Sequence, residues 1–239
     1  MNSRAWLPML LGLVSLLLEP ALNPRVPAAV EAEPGLQEVL EHIRIKASMV
    51  TSLRGRFRQE TQTRLLSGPV HSAGQVYWQS PNRLRWEVTT PDPMTLVARG
   101  GSILVLYPDL KRASTYQVPA RGDILGRLSG TAGDVESLQR DYRITITLVS
   151  GGGKRFLQMT FDPATDRSAR YLKRLEIKID PGDWLPREVK ILESDREITT
   201  IHLLDLTENV ELPANLFNVD PPVGFFVDGV QRTDDRFRP

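Results

Sequence analysis

The sequence contains no cysteine among its 239 residues. This absence excludes disulfide bonds, thiol catalysis and zinc sites built on thiolates, and it leaves no cysteine that could carry a lipid anchor. The sequence also has no excess of charge of either sign, because 30 Lys and Arg face 29 Asp and Glu, a net charge of +1. Nucleic-acid binding needs a concentrated basic surface, so this balance argues against a nucleic-acid partner.

Residues with catalytic or metal-binding chemistry are few and scattered. His42, His71 and His202 are the three histidines, and no two of them have the spacing of metal ligands. The sequence has no G-x-S-x-G, H-E-x-x-H or P-loop motif. The glycine run 151–153 lies between two predicted strands, which favours a hairpin turn over a phosphate-binding loop. We therefore predict a protein that is not an enzyme, with no catalytic residues, no metal and no cofactor.

The N-terminus has the features of a secretory signal peptide. Arg4 supplies a positive charge, and residues 6–18 form an apolar stretch that is short for a membrane span. Small residues allow cleavage after Ala28 or Ala32. We predict a cleaved signal peptide over residues 1–32 and a single exported domain over residues 33–239. An uncleaved membrane anchor is the alternative interpretation of the same stretch.

Two segments are predicted to be helical. Apolar residues at helical spacing predict one amphipathic helix near residues 36–51, and they are Leu36, Val39, Leu40, Ile43, Ala47 and Val50. Residues 120–140 are predicted to form two short helices that four glycines weaken, since each interior glycine costs about 1 kcal/mol relative to alanine. A marginal helical segment opens at little cost, so we interpret it as a movable cover.

The rest of the chain is predicted to be a sheet. In residues 83–89, Leu84, Trp86 and Val88 alternate with polar residues, which predicts a half-buried antiparallel strand. Similar alternation recurs almost to the C-terminus, with short turns between the strands. The predicted fold class is mainly β (α+β): an incomplete antiparallel β-barrel of about ten to eleven strands, covered by the N-terminal helix and a mid-chain helical lid.

Each face of this sheet has two interpretations. The apolar face is either an ordinary core filled by the chain's own helices or a cavity for a hydrophobic ligand. The opposite face carries arginines that are either solvated or form a docking surface for an acidic partner, and they are Arg54, Arg56, Arg58, Arg83 and Arg85. The periodicity alone leaves both questions open.

Several short motifs, in order along residues 36–228, resemble those of the outer-membrane lipoprotein carrier family, the LolA-like proteins. Near the beginning they are FRQ at 57–59, GQV at 74–76 and SPNRLRWE at 80–87, followed by Pro91. Further on, GGSILVLYP at 100–108 and LFNVDPPVG at 216–224 are similar to two more segments of that family. Where the family carries an arginine before the proline of its R-P motif, this chain has Ser80.

The resemblance implies a periplasmic carrier whose hydrophobic cavity takes the acyl chains of a lipoprotein or another lipid. It also implies two protein partners, an inner-membrane release complex and an outer-membrane receptor, and we expect a monomer. On this interpretation the cavity is lined by Leu53, Phe57, Val76, Leu84, Trp86, Val88, Leu104, Leu106, Ile144 and Ile146. The lid residues are Ile124, Leu125 and Leu128.

Two other classes of function remain as alternatives. A module of the same fold could sense lipoproteins or lipids and act as a regulatory or scaffold protein by binding a protein partner. A secreted hydrolase of apolar substrates is disfavoured because the sequence has no nucleophile motif.

Overall fold

The computed structural model of the chain describes residues 34–63, 67–99, 101–117, 135–169, 172–194 and 197–232. Twelve strands dominate these residues, with one helix before them and two helices between them. The helices are α1 (Leu36–Met49), α2 (Val135–Asp141) and the single turn α3 (Asp166–Ala169). The strands are β1 (Ser52–Thr63), β2 (Val70–Gln79), β3 (Arg83–Thr90), β4 (Met94–Arg99), β5 (Ser102–Tyr107), β6 (Arg112–Gln117), β7 (Tyr142–Gly151), β8 (Lys154–Pro163), β9 (Arg174–Ile179), β10 (Pro186–Ser194), β11 (Glu197–Glu208) and β12 (Phe226–Arg232).

All twelve strands form one sheet, in the order β12-β6-β5-β4-β3-β2-β1-β11-β10-β9-β8-β7. Neighbouring strands are antiparallel, except that β12 pairs in parallel with β6. The sheet is open, since β12 and β7 form its two ends. The predicted mainly β fold with an incomplete barrel is thus confirmed, with twelve strands where ten to eleven were expected.

The pairing register divides the side chains between two faces, which we call inner and outer. The inner face carries Phe57 and Trp86, and the outer face carries Arg56 and Arg85. The antiparallel register extends the inner face from β7 to β6, because directly opposed residues share a face.

Helix α1 packs against the inner face at the β7 end of the sheet. Val39 and Leu40 are buried in one core cluster with residues of β7, β8 and β9, such as Ile144, Met159 and Ile177. The helix ends at Val50, where the backbone becomes extended and leads directly into β1. A part-buried ion pair between Lys46 and Glu208 at 2.6 Å ties α1 to the end of β11.

The described strands and helices all fall within one compact unit, which spans residues 33–239. The predicted signal peptide and the predicted lid residues Ile124, Leu125 and Leu128 lie outside the described residues. Among the residues that are described, no helix combines the length and the apolar character that a membrane span requires.

Candidate functional site

The inner face of β1 to β5 presents a continuous apolar surface. Across the strands, Val76 faces Trp86, Trp86 faces Leu96 and Leu96 faces Val105. We call this surface the apolar strip, and its members are Leu53, Phe57, Val76, Trp78, Leu84, Trp86, Val88, Leu96 and Val105. The strip contains no charged side chain, so its chemistry favours the binding of an apolar ligand over catalysis.

The centre of the strip is a stack of two aromatic rings. Phe57 on β1 and Trp86 on β3 have ring centroids 3.8 Å apart, with 25° between the ring planes. Strand β2 lies between them, and its residue opposite Phe57 is Gly74. A methyl group at position 74 would lie 2.9 Å from Cε1 of Phe57 and 1.7 Å from the carbonyl oxygen of Glu87. Glycine at this position therefore makes the close approach of β1, β2 and β3 possible.

Burial is uneven within the strip. Phe57, Val76 and Val105 are only 1%, 5% and 6% exposed, so they form the buried base of the strip. The remaining members are half-buried, and they are Leu53, Trp78, Leu84, Trp86, Val88 and Leu96. Large apolar side chains that keep part of their surface accessible are the groups that a hydrophobic ligand could cover.

Two residues expected in the cavity lie on the other face of the sheet. In the register of β4 and β5, Leu104 faces Val97, and Val97 faces Arg85 on the outer face. Leu106 follows Leu104 on the same side and is 7% exposed. The expectation that Leu104 and Leu106 share a face with Trp86 is therefore wrong. Strand β5 is apolar on both sides, so the side-chain pattern gave no indication of which residues point inward.

The outer face of β3 to β6 is covered by residues 209–225, which lead from β11 to β12 and which we call the strap. Arg85 donates a hydrogen bond to the carbonyl oxygen of Leu216 at 3.0 Å, and Arg99 donates one to Oδ1 of Asn218 at 2.7 Å. Between these two anchors, Phe217 is 2% exposed. The outer-face residues Val97, Leu106 and Ala113 are also buried.

The outer-face arginines are exposed except Arg85 on β3, while Arg83 on the same strand is exposed. Arg54, Arg56 and Arg58 on β1 lie on the outer face, and Arg56 pairs with Asp205 at the surface. Arg85 on β3 is only 17% exposed, because it pairs with Glu87 and bonds to the strap. Arg85 is thus a structural anchor for the strap rather than part of a solvated surface.

Ile144 and Ile146, the two cavity residues predicted on β7, have the expected orientation but a different environment. Both lie on the inner face, yet Ile144 is 8% exposed and belongs to the core cluster with Val39 and Leu40 of α1. Ile146 packs against the same cluster. At this end of the sheet the apolar face is an ordinary core filled by a helix of the chain, which is the first of the two interpretations given for this face.

None of the three histidines belongs to the strip: His42 lies on α1, and His71 and His202 lie on the outer face of β2 and β11. His42 on α1 stacks on Trp184 with ring centroids 4.3 Å apart. His71 and His202 are 68% and 50% exposed, and each has a glutamate within 4 Å, Glu60 and Glu188 respectively. Within the described ranges, no three His, Cys, Asp or Glu side chains are arranged to hold a metal ion.

Polar side chains interrupt the inner face at one end of the strip, a feature that we did not predict. Gln59 and Thr61 follow Phe57 on β1, and Thr199 lies opposite Thr61 on β11. All three are half-buried and uncharged. The sequence signal was present, because polar residues replace apolar ones at every second position after Phe57.

Comparisons with known proteins agree with the resemblance of the sequence motifs. A family model described as "Outer membrane lipoprotein carrier protein LolA" matches residues 48–220. An outer-membrane lipoprotein carrier protein of Alkalilimnicola ehrlichii is 31% identical over 182 residues, which cover 73% of this chain and 76% of that protein. The corresponding protein of Dechloromonas aromatica is 26% identical over 179 residues, with 74% and 81% covered.

A solved structure of an uncharacterized conserved protein from Thermus thermophilus is also similar. It matches with a TM-score of 0.51 and 11% identity, covering 82% of this chain and 98% of that chain. At this low identity the likeness concerns the fold alone.

Proposed function

The chain belongs to the LolA family of outer-membrane lipoprotein carrier proteins, and we propose that it holds the acyl chains of lipoproteins on the apolar strip while it carries them across the periplasm. The cargo travels from the inner to the outer membrane, and a signal peptide directs the carrier to this compartment. The proposal involves no chemical step, so the protein acts by binding and release and not as an enzyme.

The single observation that carries this proposal is the difference between the two parts of the inner face. At the β7 end, α1 fills the face with Val39 and Leu40, and the sheet residues there form a closed core. On β2 to β4, by contrast, Trp78, Leu84, Trp86 and Leu96 remain half-buried. A sheet that needed only stability would bury both parts, because each fully buried large apolar side chain contributes about 1.5–3 kcal/mol.

The energetics of acyl chains suit a face that is only partly enclosed. Burial of one methylene group contributes about 0.8 kcal/mol, so a fully enclosed chain of about 16 carbons would contribute around 12 kcal/mol. Several chains held that tightly would dissociate too slowly for transfer. An open sheet that covers part of each chain supports both capture and release.

Transfer requires a donor and an acceptor. We propose the partners that family membership implies, which are an inner-membrane release complex and an outer-membrane receptor, and a monomeric carrier. Seven of the ten residues expected to line the cavity keep that proposed role after the corrections above. They are Leu53, Phe57, Val76, Leu84, Trp86, Val88 and, at the margin of the core cluster, Ile146.

The test measures the binding of a synthetic diacylated lipopeptide to the purified protein, and tryptophan fluorescence reports the binding. Leu84→Glu places a charge on the strip at a half-buried position, and we expect at least a 100-fold loss of affinity because a carboxylate would have to be buried against the acyl chains. Arg83→Glu is the matched control: it changes the next residue of the same strand, which is exposed on the outer face.

The outcomes separate the strip from a general effect on folding. Far-UV circular dichroism checks that both variants keep the sheet. Equal lipopeptide affinity of Leu84→Glu and the wild type would refute the proposed binding face. A wild-type protein that binds no lipopeptide but keeps one stable non-lipidated protein partner would favour the sensor or scaffold alternative.

A further inference from the structure

A group of uncharged polar side chains marks one end of the apolar strip. Gln59 and Thr61 lie on the inner face of β1, Ser72 lies opposite Gln59 on β2, and Thr199 lies opposite Thr61 on β11. We call these four residues the polar ledge. All four are half-buried.

The ledge differs in chemistry from the outer face at the same height. On β1 the residues that alternate with the ledge are Arg58 and Glu60, which point outward. On β1 and β2 the charged groups therefore lie on the outer face here, whereas the inner face carries an amide and hydroxyls. The neighbouring inner-face residue of β11 is Glu197, which lies opposite Thr63, one inner-face position beyond the ledge. Uncharged donors on a half-buried surface suit a ligand that presents neutral acceptor atoms.

The hydrogen bonds within the ledge are long. Nε2 of Gln59 donates to Oγ1 of Thr61 at 3.3 Å, and the hydroxyl oxygens of Thr61 and Thr199 are also 3.3 Å apart. Such bonds are usually about 2.9–3.0 Å long from an N–H donor and about 2.7–2.8 Å long between hydroxyls, so these contacts are weak. The three side chains can therefore exchange their mutual contacts for a better acceptor at small cost.

The position of the ledge gives the strip a direction. Strands rise about 3.4 Å per residue, so Gln59, where the ledge begins, lies about 20 Å from Leu53 along β1. The acyl chains of one leaflet occupy about half of a hydrocarbon core of roughly 30 Å, or about 15 Å. The inner face of β1 between the ledge and Leu53 is thus long enough for one acyl chain that starts at the ledge.

We propose that the polar ledge is a subsite for the carbonyl oxygens that join the acyl chains to the head of the lipid. The inference rests on the proposed carrier function and adds to it a ligand class and an orientation. Ester and amide carbonyls accept hydrogen bonds, and Gln59, Thr61 and Thr199 offer the donors. The chains then lie along the strip toward Leu53, and the peptide leaves at the end of β1 and β2 that carries the ledge.

The test compares two probes that differ only in their carbonyl groups. One is a lipopeptide with two palmitoyl chains attached by ester bonds, and the other is its ether analogue, in which methylene groups replace both ester carbonyls. We expect the wild-type protein to bind the ester lipopeptide about 10-fold more tightly, since one to two net hydrogen bonds correspond to this factor.

Variants then assign the preference to the ledge. Thr61→Val with Thr199→Val keeps the shape of both side chains and removes both hydroxyl groups. We expect the double variant to bind the two probes within about threefold of each other, with its affinity for the ether analogue unchanged. Thr200→Val is the matched control, because Thr200 is the next residue on β11 and lies on the outer face. We expect it to keep the 10-fold preference.

Each remaining outcome overturns a different statement. Equal binding of the ester and ether probes by the wild-type protein overturns the ledge but leaves the carrier function intact, and this comparison needs no variant. A double variant that keeps the 10-fold preference also overturns the ledge. Failure of the wild type to bind either probe overturns the carrier function, and the ledge with it.

Discussion

The rings of Phe57 and Trp86 stack on each other although their strands are not neighbours in the sheet. The intervening strand β2 makes the contact possible, because its residue opposite Phe57 is Gly74. The stack lies in the middle of the proposed ligand surface. The packing of β1 to β3 and the proposed ligand surface therefore depend on the same three residues.

Replacement of Gly74 tests this dependence. In Gly74→Ala the new methyl group meets the carbonyl oxygen of Glu87 at 1.7 Å, and a backbone atom cannot give way as a flexible side chain can. We expect the free energy of unfolding to fall by about 3 kcal/mol, the upper end of the usual cost of overpacking. Urea denaturation measures it. Gly68→Ala is the control, since no atom lies within 4 Å of its new methyl group, and a change of similar size there would contradict the steric explanation.

The stack itself can be measured with a double-mutant cycle. We expect Phe57→Leu and Trp86→Leu to be coupled by about 0.5–1.5 kcal/mol in urea denaturation, the range measured for aromatic pairs. Phe57→Leu combined with Trp184→Leu is the reference pair, because Trp184 stacks on His42 instead. Additive effects of the substitutions at Phe57 and Trp86 would show that the two rings merely lie side by side.

The strap predicts different roles for two phenylalanines. Phe217, which belongs to the strap, is 2% exposed, and Phe226 at the start of β12 is 68% exposed. We expect Phe217→Ala to lower the free energy of unfolding by about 3–5 kcal/mol, as large-to-small substitutions in a core do. Phe226→Ala should change it by less than about 0.5 kcal/mol. Thermal denaturation measures both variants. Comparable losses of stability in the two would mean that Phe217 is not part of a packed core between the strap and the outer face.

Asp228 predicts an acid-sensitive attachment of β12. Hydrogen bonds from Arg112 and Ser114 hold the pKa of its carboxyl below the ordinary value of 3.8. A lowered carboxyl pKa stabilises the folded state above pH 3.8, and this contribution disappears as the pH falls through the folded-state pKa. We expect Asp228→Asn to have a lower melting temperature than the wild type at pH 7, and the difference should shrink below about pH 4.

The control for this experiment is Asp109→Asn, because Asp109 lies exposed in the turn between β5 and β6. We expect it to melt within a degree or so of the wild type over the same pH range, as surface substitutions usually do. A gap between Asp228→Asn and the wild type that stays constant down to pH 2 would exclude the carboxylate as its cause.

The orientation of β3 was predictable because that strand is buried on one side only. Leu84, Trp86 and Val88 alternate with polar residues, and the register places all three on the inner face. The orientation of β5 was not predictable, since residues 103–106 are apolar without a period of two. Such a run is typical of a strand with an apolar environment on both faces. The inner side of β5 belongs to the apolar strip, and its outer side lies on the face that the strap covers.

The strap and the position of β12 depend on contacts between distant parts of the chain. Arg85 and Leu216 are 131 residues apart, and Arg99 and Asn218 are 119 apart. Residues 209–225 show neither helical nor strand periodicity, so local sequence patterns contain no information about where they lie. The separation of the inner face into a closed core and a half-buried strip is also a long-range property, because it depends on where α1 packs.

The pairing of β1 with β11 has a consequence for the growing polypeptide. Arg56 of β1 and Asp205 of β11, whose side chains form an ion pair, are 149 residues apart, whereas β1 meets β2 across a short connection. During synthesis one edge of β1 stays unpaired until β11 is complete, and such an edge is a template for association with other chains. A prematurely terminated product that ends before residue 197 keeps this edge permanently, so aggregation of truncated translation products is expected to begin there.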